Sequence, residues 1–212
     1  MSDPNNNRFD AAAKTWDENP ARIQLADAVV AAIAAQVPLS AEMDAMDYGC
    51  GTGLVTLLLA PRVRTIVGAD SSTGMLEVLG EKIEAGGIVN ARALRLDLST
   101  DPQPAARFDL IVSNMTLHHV ERPLDLIHAL RGLLRPGGYF CISDLDTEPG
   151  DFHQDLTGVR HFGFDRAEIV ALFEQAGLAD VSTVTAHSLR KPVEGQGLRD
   201  FSVFLATGHK EA

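Results

Sequence analysis

The stretch "DYGCGTG", Asp47 to Gly53, decides how the rest of the chain is read. Its glycines, Gly49, Gly51 and Gly53, follow a short apolar run and lead into a helical pattern. Glycines in such a turn let the backbone approach a ligand closely, because no Cβ intervenes. A turn built for a pyrophosphate has the spacing GxGxxG. Here the spacing is GxGxG, and Asp47 stands two residues before the first glycine. A carboxylate at that place repels a pyrophosphate. It suits a ligand that carries an ammonium and a sulfonium.

Outward from the loop, short apolar runs alternate with helical stretches. The runs are "AMDYG", "RTIVGAD", "ARALRLD", "FDLIVSN" and "GYFCISD". Between them come "GLVTLLLAP", "TGMLEVLGEKIEAGG" and "PLDLIHALRGLLRPGG". Leu110 to Val112 are apolar without alternation, as a strand buried between two helix layers should be. This alternation predicts an α/β fold with an open, doubly wound sheet. The first strand is the weakest, with only Ala45 and Met46 clearly apolar.

Both ends of the chain extend this core. Asn5 to Asn7 read as turn formers, either disordered or capping the next segment, and Phe9 and Trp16 mark one face of a short helix. Asn19-Pro20 then caps a second helix, with Ile23, Ala26, Val30, Ile33 and Val37 on one face and Pro38 as its stop. Near the other end, Asp165 and Glu168 form a capping box, Phe164 and Ile169 a staple, and Gly177 ends the helix. The runs "DVSTVTAHSL" and "FSVFLATG" follow with no helix between them, so an antiparallel pair at the sheet edge is expected. The organisation expected is one domain over 1–212, with a helical cap at 1–40, a core at 41–212 and a lid-like insertion at 145–164.

Two further carboxylates continue the pattern. Asp70 closes the second strand, about twenty residues past Asp47, the interval at which an acid reaches ribose hydroxyls. Asp97 ends the third strand, where it can accept from an adenine amino group.

Together Asp47-x-Gly49-x-Gly51-x-Gly53, Asp70, Asp97, "FDLIVSNMTLHHV" and "LLRPGGYF" resemble a class I S-adenosylmethionine-dependent methyltransferase. The likeness is to the small-molecule group that includes the quinone-biosynthesis enzymes, and it covers about residues 44–145. It implies a Rossmann-like, mostly parallel seven-stranded sheet of order 3-2-1-4-5-7-6, with the last strand antiparallel and helices on both faces. It also implies S-adenosylmethionine as cofactor and S-adenosylhomocysteine as product. Asp47 and the backbone of Gly49, Cys50 and Gly51 would then hold the methionyl end, with Tyr48, Thr52 and Gly53 also at the cofactor. Asp70 would bind the ribose, with Ser71 and Met75 beside the adenosine. Asp97 and the Leu98 backbone would read the adenine, and Asn114 and Met115 would lie below the sulfonium. Tyr48 departs from the family, which has a small or aliphatic residue there.

Methyl transfer needs an aligned acceptor and, for some acceptors, a general base. The candidates at the carboxyl edge of the sheet are His119 and Asp144 for catalysis. The segment "DLDTEPGDFHQDLTGVRHFGF" is long for a connection and too aromatic for a linker. It is expected to wall the acceptor pocket through His153, Arg160, His161 and Phe162, with His118 and His119 beside it. The N-terminal helices, lying over the cofactor crevice, would supply Trp16 and Arg22. No histidine pair has metal-ligand spacing, so no metal is expected. No GxSxG elbow is present either. Two rival readings are aminopropyl transfer from decarboxylated S-adenosylmethionine and a non-catalytic binding module.

The formal net charge of −11, without a basic run, argues against nucleic acid and anionic membrane as partners. The first residues lack the pattern of a secretory leader, and no apolar run is long enough to span a bilayer. Cys50 and Cys141 lack a CxxC context. The expectation is a cytoplasmic monomer or homodimer acting on a small molecule.

Overall fold

The computed structural model describes residues 4–211. The outermost residues, on which the leader reading and the ends of the 1–212 domain fall, lie outside them. Five strands run parallel: β1 (Asp44–Tyr48), β2 (Thr65–Asp70), β3 (Ala91–Arg95), β4 (Phe108–Asn114) and β5 (Leu134–Leu145). A hairpin of β6 (Ala179–Val193) and β7 (Gly197–His209) completes the sheet in the order β3-β2-β1-β4-β5-β7-β6. β7 is antiparallel to both of its neighbours. The sheet is the one that the resemblance implied.

Side-chain parity divides the core in two. Leu110 and Val112 of β4 pack on one face with α2 (Pro20–Gln36) and α3 (Leu54–Leu59). Ile111 points the other way, among side chains of α5 (Pro123–Leu133) and α6 (Arg166–Gln175). Adjacent strand residues must face opposite sides, so an unbroken apolar run supplies both layers at once. α4 (Thr73–Ala85) lies beside β2 and β3, with Leu76 and Leu79 on Cys50. β1 forms despite its few apolar residues, because it is paired on both sides, with β2 and with β4.

Three local readings need correction. Asn5 to Asn7 are not a turn but part of α1 (Pro4–Ala12), which Pro4 opens; a 3-10 segment, Ala13–Glu18, follows. The α5 helix stops at Leu133 instead of continuing through "RPGG". Pro136 cannot continue a helix, Gly137 takes φ +77°, and β5 begins at Leu134 with a register shift opposite β4. The β6–β7 hairpin runs further than its apolar residues suggest, as far as a turn at 194–196, with Gly195 within the turn and Gly197 just after it in the left-handed region. There the pairing is held by polar groups, including Arg190 donating to both carboxylate oxygens of Asp200 across the strands at 2.6 and 2.9 Å. Among the described residues no helix is long and apolar enough to cross a membrane.

Candidate active site

The loop leaving β1 is shaped by its own main chain. Gly49, Gly51 and Gly53 all have positive φ, at 72°, 54° and 82°. The N–H groups of Gly49 and Cys50 donate to the Ala69 carbonyl at the end of β2, at 2.8 and 3.1 Å. Gly51 N–H donates to Asp70 Oδ2 at 2.8 Å, so Asp70 pins the loop. The three glycines have different neighbours. A Cβ on Gly49 would lie 2.2 Å from Thr116 Oγ1, and one on Gly53 2.3 Å from Leu79 Cδ1. Around Gly51 the nearest atom is Met75 Sδ at 3.9 Å. Gly51 therefore leaves a face open to a cavity of about 630 Å³, while Gly53 packs behind the loop, away from the cavity lining.

The other expected cofactor residues, Asp47, Tyr48, Gly49, Cys50, Thr52, Asp70, Ser71, Met75, Asp97, Leu98, Asn114 and Met115, come together around this one cavity. Asp47 is buried and accepts from the Thr56 hydroxyl at 2.6 Å. Burial pushes its carboxyl up to about 7; Thr56 opposes the shift and the Asp70 charge adds to it. Burial also raises Asp70, against the N–H bonds it accepts from Ser72, Gly51 and Ser71. Asp97 Oδ1 accepts from the N–H and the hydroxyl of Ser99, at 3.0 and 2.6 Å. Asn114 Oδ1 accepts from Ser143 at 2.8 Å, and Met115 takes φ 52°, a strained value for a side chain of its size. Leu98 departs from expectation. Its N–H is already donated to the Tyr48 hydroxyl, at 3.1 Å.

The chain's beginning closes one side of the crevice through contacts that no motif announced. Asp17 accepts from Thr52 Oγ1 at 2.6 Å and pairs with Lys82, which also donates to the Thr52 carbonyl. Asp10 accepts from Ser72 Oγ at 2.5 Å and from Gly74 N–H at 2.8 Å, at the start of α4. Both acids are isolated in sequence, so only the fold could reveal them. Thr116, which lines the cavity beside Gly49, is a third such residue.

The acceptor side is more selective than expected. Trp16, Arg22, His119 and Arg160 line the cavity, as does Phe9. Arg22 stacks 3.6 Å from the Trp16 ring centre and donates to the Trp16 carbonyl at 2.8 Å. His119 Nδ1–H donates to the Gly158 carbonyl at 3.0 Å, which leaves Nε2 as its free acceptor. Burial, helped by the charge of His118, lowers His119 to about 4. His118 and Asp144, by contrast, are withdrawn into the core.

Asp144 has no exposed surface and lies 2.8 Å from His118 Nδ1. It also accepts N–H bonds from His118 and Leu145, at 3.1 and 2.7 Å. Burial alone would raise its carboxyl; the charge and hydrogen bond of His118 and the two amides outweigh that and hold it below the usual range. A side chain so enclosed does not line the cavity, so the sequence expectation of a catalytic Asp144 in contact with the acceptor does not fit the geometry. The His153 ring lies tilted against His118, with ring centres 4.8 Å apart, and burial lowers it to about 3. His161 Nε2–H donates to the Val120 carbonyl at 3.0 Å, and its ring rests on Phe164. Phe162 is partly exposed beside Gly150. These groups fasten the insertion instead of facing the cavity. The N–H groups of Arg160 and His161 both donate to the His118 carbonyl, and Arg8 donates to the Thr157 carbonyl at 2.9 Å. Among the described residues no group of three or more His, Cys, Asp or Glu could hold a metal ion.

A family model described as "Methyltransferase domain" matches residues 21–200. The chain belongs to this family. An "uncharacterized methyltransferase" of Schizosaccharomyces pombe is 33% identical over 157 residues, which are 67% of this chain and 55% of that protein. A "ubiquinone biosynthesis O-methyltransferase" of Marinobacter nauticus is 28% identical over 167 residues, 73% of this chain and 67% of that protein. The chain spans about half to two-thirds of the length of the curated relatives it matches. Its fold matches a SAM-dependent methyltransferase from Aquifex aeolicus with a TM-score of 0.69 and 20% identity, covering 94% of this chain and 97% of that one.

Proposed function

We propose that this methyltransferase moves a methyl group from S-adenosylmethionine to a small-molecule acceptor and releases S-adenosylhomocysteine. One observation carries the reading. The open face of Gly51 and the buried carboxyl of Asp47 share a single cavity with His119, Trp16 and Arg22. The residues present fit the cofactor. A Cβ-free approach at Gly51 admits it, and Asp47 becomes fully ionised once a cation stands beside it. Asp47, Asp70 and Asp97 would hold its amino group, ribose and base. When bound, S-adenosylmethionine supplies a methyl carbon activated by a sulfonium for in-line displacement.

The chain's own task is then alignment and exclusion of water. The strap of α1 and the 3-10 turn lies against the loop and α4 on one side, while Arg8 ties it to the insertion on the other. Trp16, Arg22, Arg160 and the insertion wall the acceptor. His119 Nε2 is the group placed to take a proton from acceptors that must lose one; its lowered pKa keeps it uncharged at neutral pH but makes it a weak base, which suits an acceptor whose proton leaves easily. A volume of about 630 Å³ is ordinary for a pocket holding small ligands. The net charge of −11 supports a small acceptor over nucleic acid. A relative named for ubiquinone biosynthesis O-methylation supports the same class.

Titration calorimetry tests the reading. S-adenosylhomocysteine is expected to bind at micromolar concentration and nicotinamide dinucleotides not at all. Micromolar binding of a nicotinamide dinucleotide, with none of S-adenosylhomocysteine, would overturn it.

A further inference from the structure

Tyr48 stands between Asp47 and Gly49 but points to the other face of the sheet, into the cluster of Met46, Ala69, Leu96 and Ile111. Its ring is buried there, and the residue also borders the cavity. The phenol oxygen accepts the Leu98 N–H at 3.1 Å, just past the end of β3. A phenol carries one donor proton and two acceptor sites. With one acceptor site used by Leu98, the O–H is oriented and its proton is left to be donated. Burial pushes the phenol up to about 12; the charges of Asp97, Asp70 and Asp101 add to the shift, and the Leu98 amide opposes it. The hydroxyl therefore remains a donor throughout the range in which the protein works.

We propose that Tyr48 is a specificity residue for the cofactor's base: its hydroxyl, oriented by the Leu98 amide, donates to a ring nitrogen of the adenine. The proposal rests on the crevice binding S-adenosylmethionine. Three features of the structure support it. The Leu98 N–H, the main-chain donor at that end of the crevice, is already engaged. Tyr48, Asp97 and Leu98 border the same cavity. The core grips the ring, so the hydroxyl is held with little freedom to lose on binding. Asp97 would accept from the base and Tyr48 would donate to it, which together distinguish adenine from a base with the opposite pattern.

The test is calorimetry of S-adenosylhomocysteine and its 1-deaza, 3-deaza and 7-deaza forms, on the wild-type protein and on Tyr48→Phe. Each deaza form replaces one ring nitrogen by C–H. The proposal expects one of them to bind wild-type protein about five- to tenfold more weakly than the parent, the scale of one neutral hydrogen bond. In Tyr48→Phe that penalty should vanish, and the parent itself should bind about five- to tenfold more weakly. Equal penalties in both proteins would overturn the proposal. So would parent binding that is unchanged or tighter in Tyr48→Phe, because the freed Leu98 amide would then be the reader. Loss of all binding by the wild-type protein would instead overturn the cofactor reading itself.

A second variant keeps every contact. Fluorotyrosine, a stronger hydrogen-bond donor, replaces both tyrosines, Tyr48 and Tyr139. Tighter binding of the parent is expected, and unchanged binding counts against the proposal. Thermal melting of each variant confirms that the fold is retained.

Discussion

The two halves of the crevice are built on different principles. On the cofactor side, glycine geometry and main-chain bonds make the site: three positive-φ glycines, amides on Ala69, and Asp70 holding Gly51. On the acceptor side, scattered side chains from α1, α2, the turn after β4 and the insertion converge without a common backbone motif. A main-chain site needs particular residues at fixed spacing. A side-chain site needs only that the fold bring suitable groups together.

If that contrast holds, the largest effects should come from the glycines, and they should differ from one another. Gly49→Ala puts a methyl 2.2 Å from Thr116 Oγ1 at φ +72°. Strain and overpacking together should cost about 2–5 kcal/mol, read by denaturant unfolding. Gly51→Ala meets no such clash, so it should keep most of the stability yet lose S-adenosylhomocysteine binding in calorimetry. Similar behaviour of the two variants would erase the distinction between packing and ligand-facing glycines.

In the core behind the acceptor side, Asp144→Ala removes one member of a buried pair and should cost about 3–5 kcal/mol of stability. Because Asp144 is outside the cavity, its cofactor affinity should stay near the wild-type value under native conditions. Asp70→Ala should do the opposite, weakening S-adenosylhomocysteine binding by about 1.5–3 kcal/mol with a smaller change in unfolding. Unchanged affinity in Asp70→Ala would remove Asp70 from the site.

The mildest effect is a pH dependence at Asp47. Its folded-state pKa is raised to about 7, so its contribution to stability is fully present below the ordinary carboxylate value and is lost as pH rises through about 7. Asp47→Asn should therefore be more stable than wild-type at pH 8 by thermal melting, with the gap closing toward pH 5. Binding of a cationic ligand favours the ionised form, so wild-type affinity for S-adenosylmethionine should fall as pH drops below 7. A flat profile would mean that Asp47 does not face the ligand's charge.

The same contrast explains what could be read from the residues alone. Strand β4 was legible because Leu110 to Val112 must serve two core faces, and the loop was legible because its glycines are fixed by φ. The boundary at Leu134 was not, since the apolar rhythm of α5 continues into β5 without a break. The outer hairpin was not, because its pairing there rests on ion pairs instead of apolar alternation. Among the histidines, residue type gave chemistry but not direction. His118 and His119 are adjacent, yet the short turn at Leu117–His119 sends one to Asp144 in the core and the other to the cavity. For Leu98 the spacing was informative and the partner was not, because the Tyr48 hydroxyl reaches it from another strand.

The most direct test of the central claim follows the methyl group itself. The protein is incubated with methyl-labelled S-adenosylmethionine and fractionated metabolites, and the products are identified by mass. Label on a small molecule, with an equal amount of S-adenosylhomocysteine formed, is the predicted result. Tight binding of S-adenosylmethionine with no S-adenosylhomocysteine formed from any fraction would contradict it.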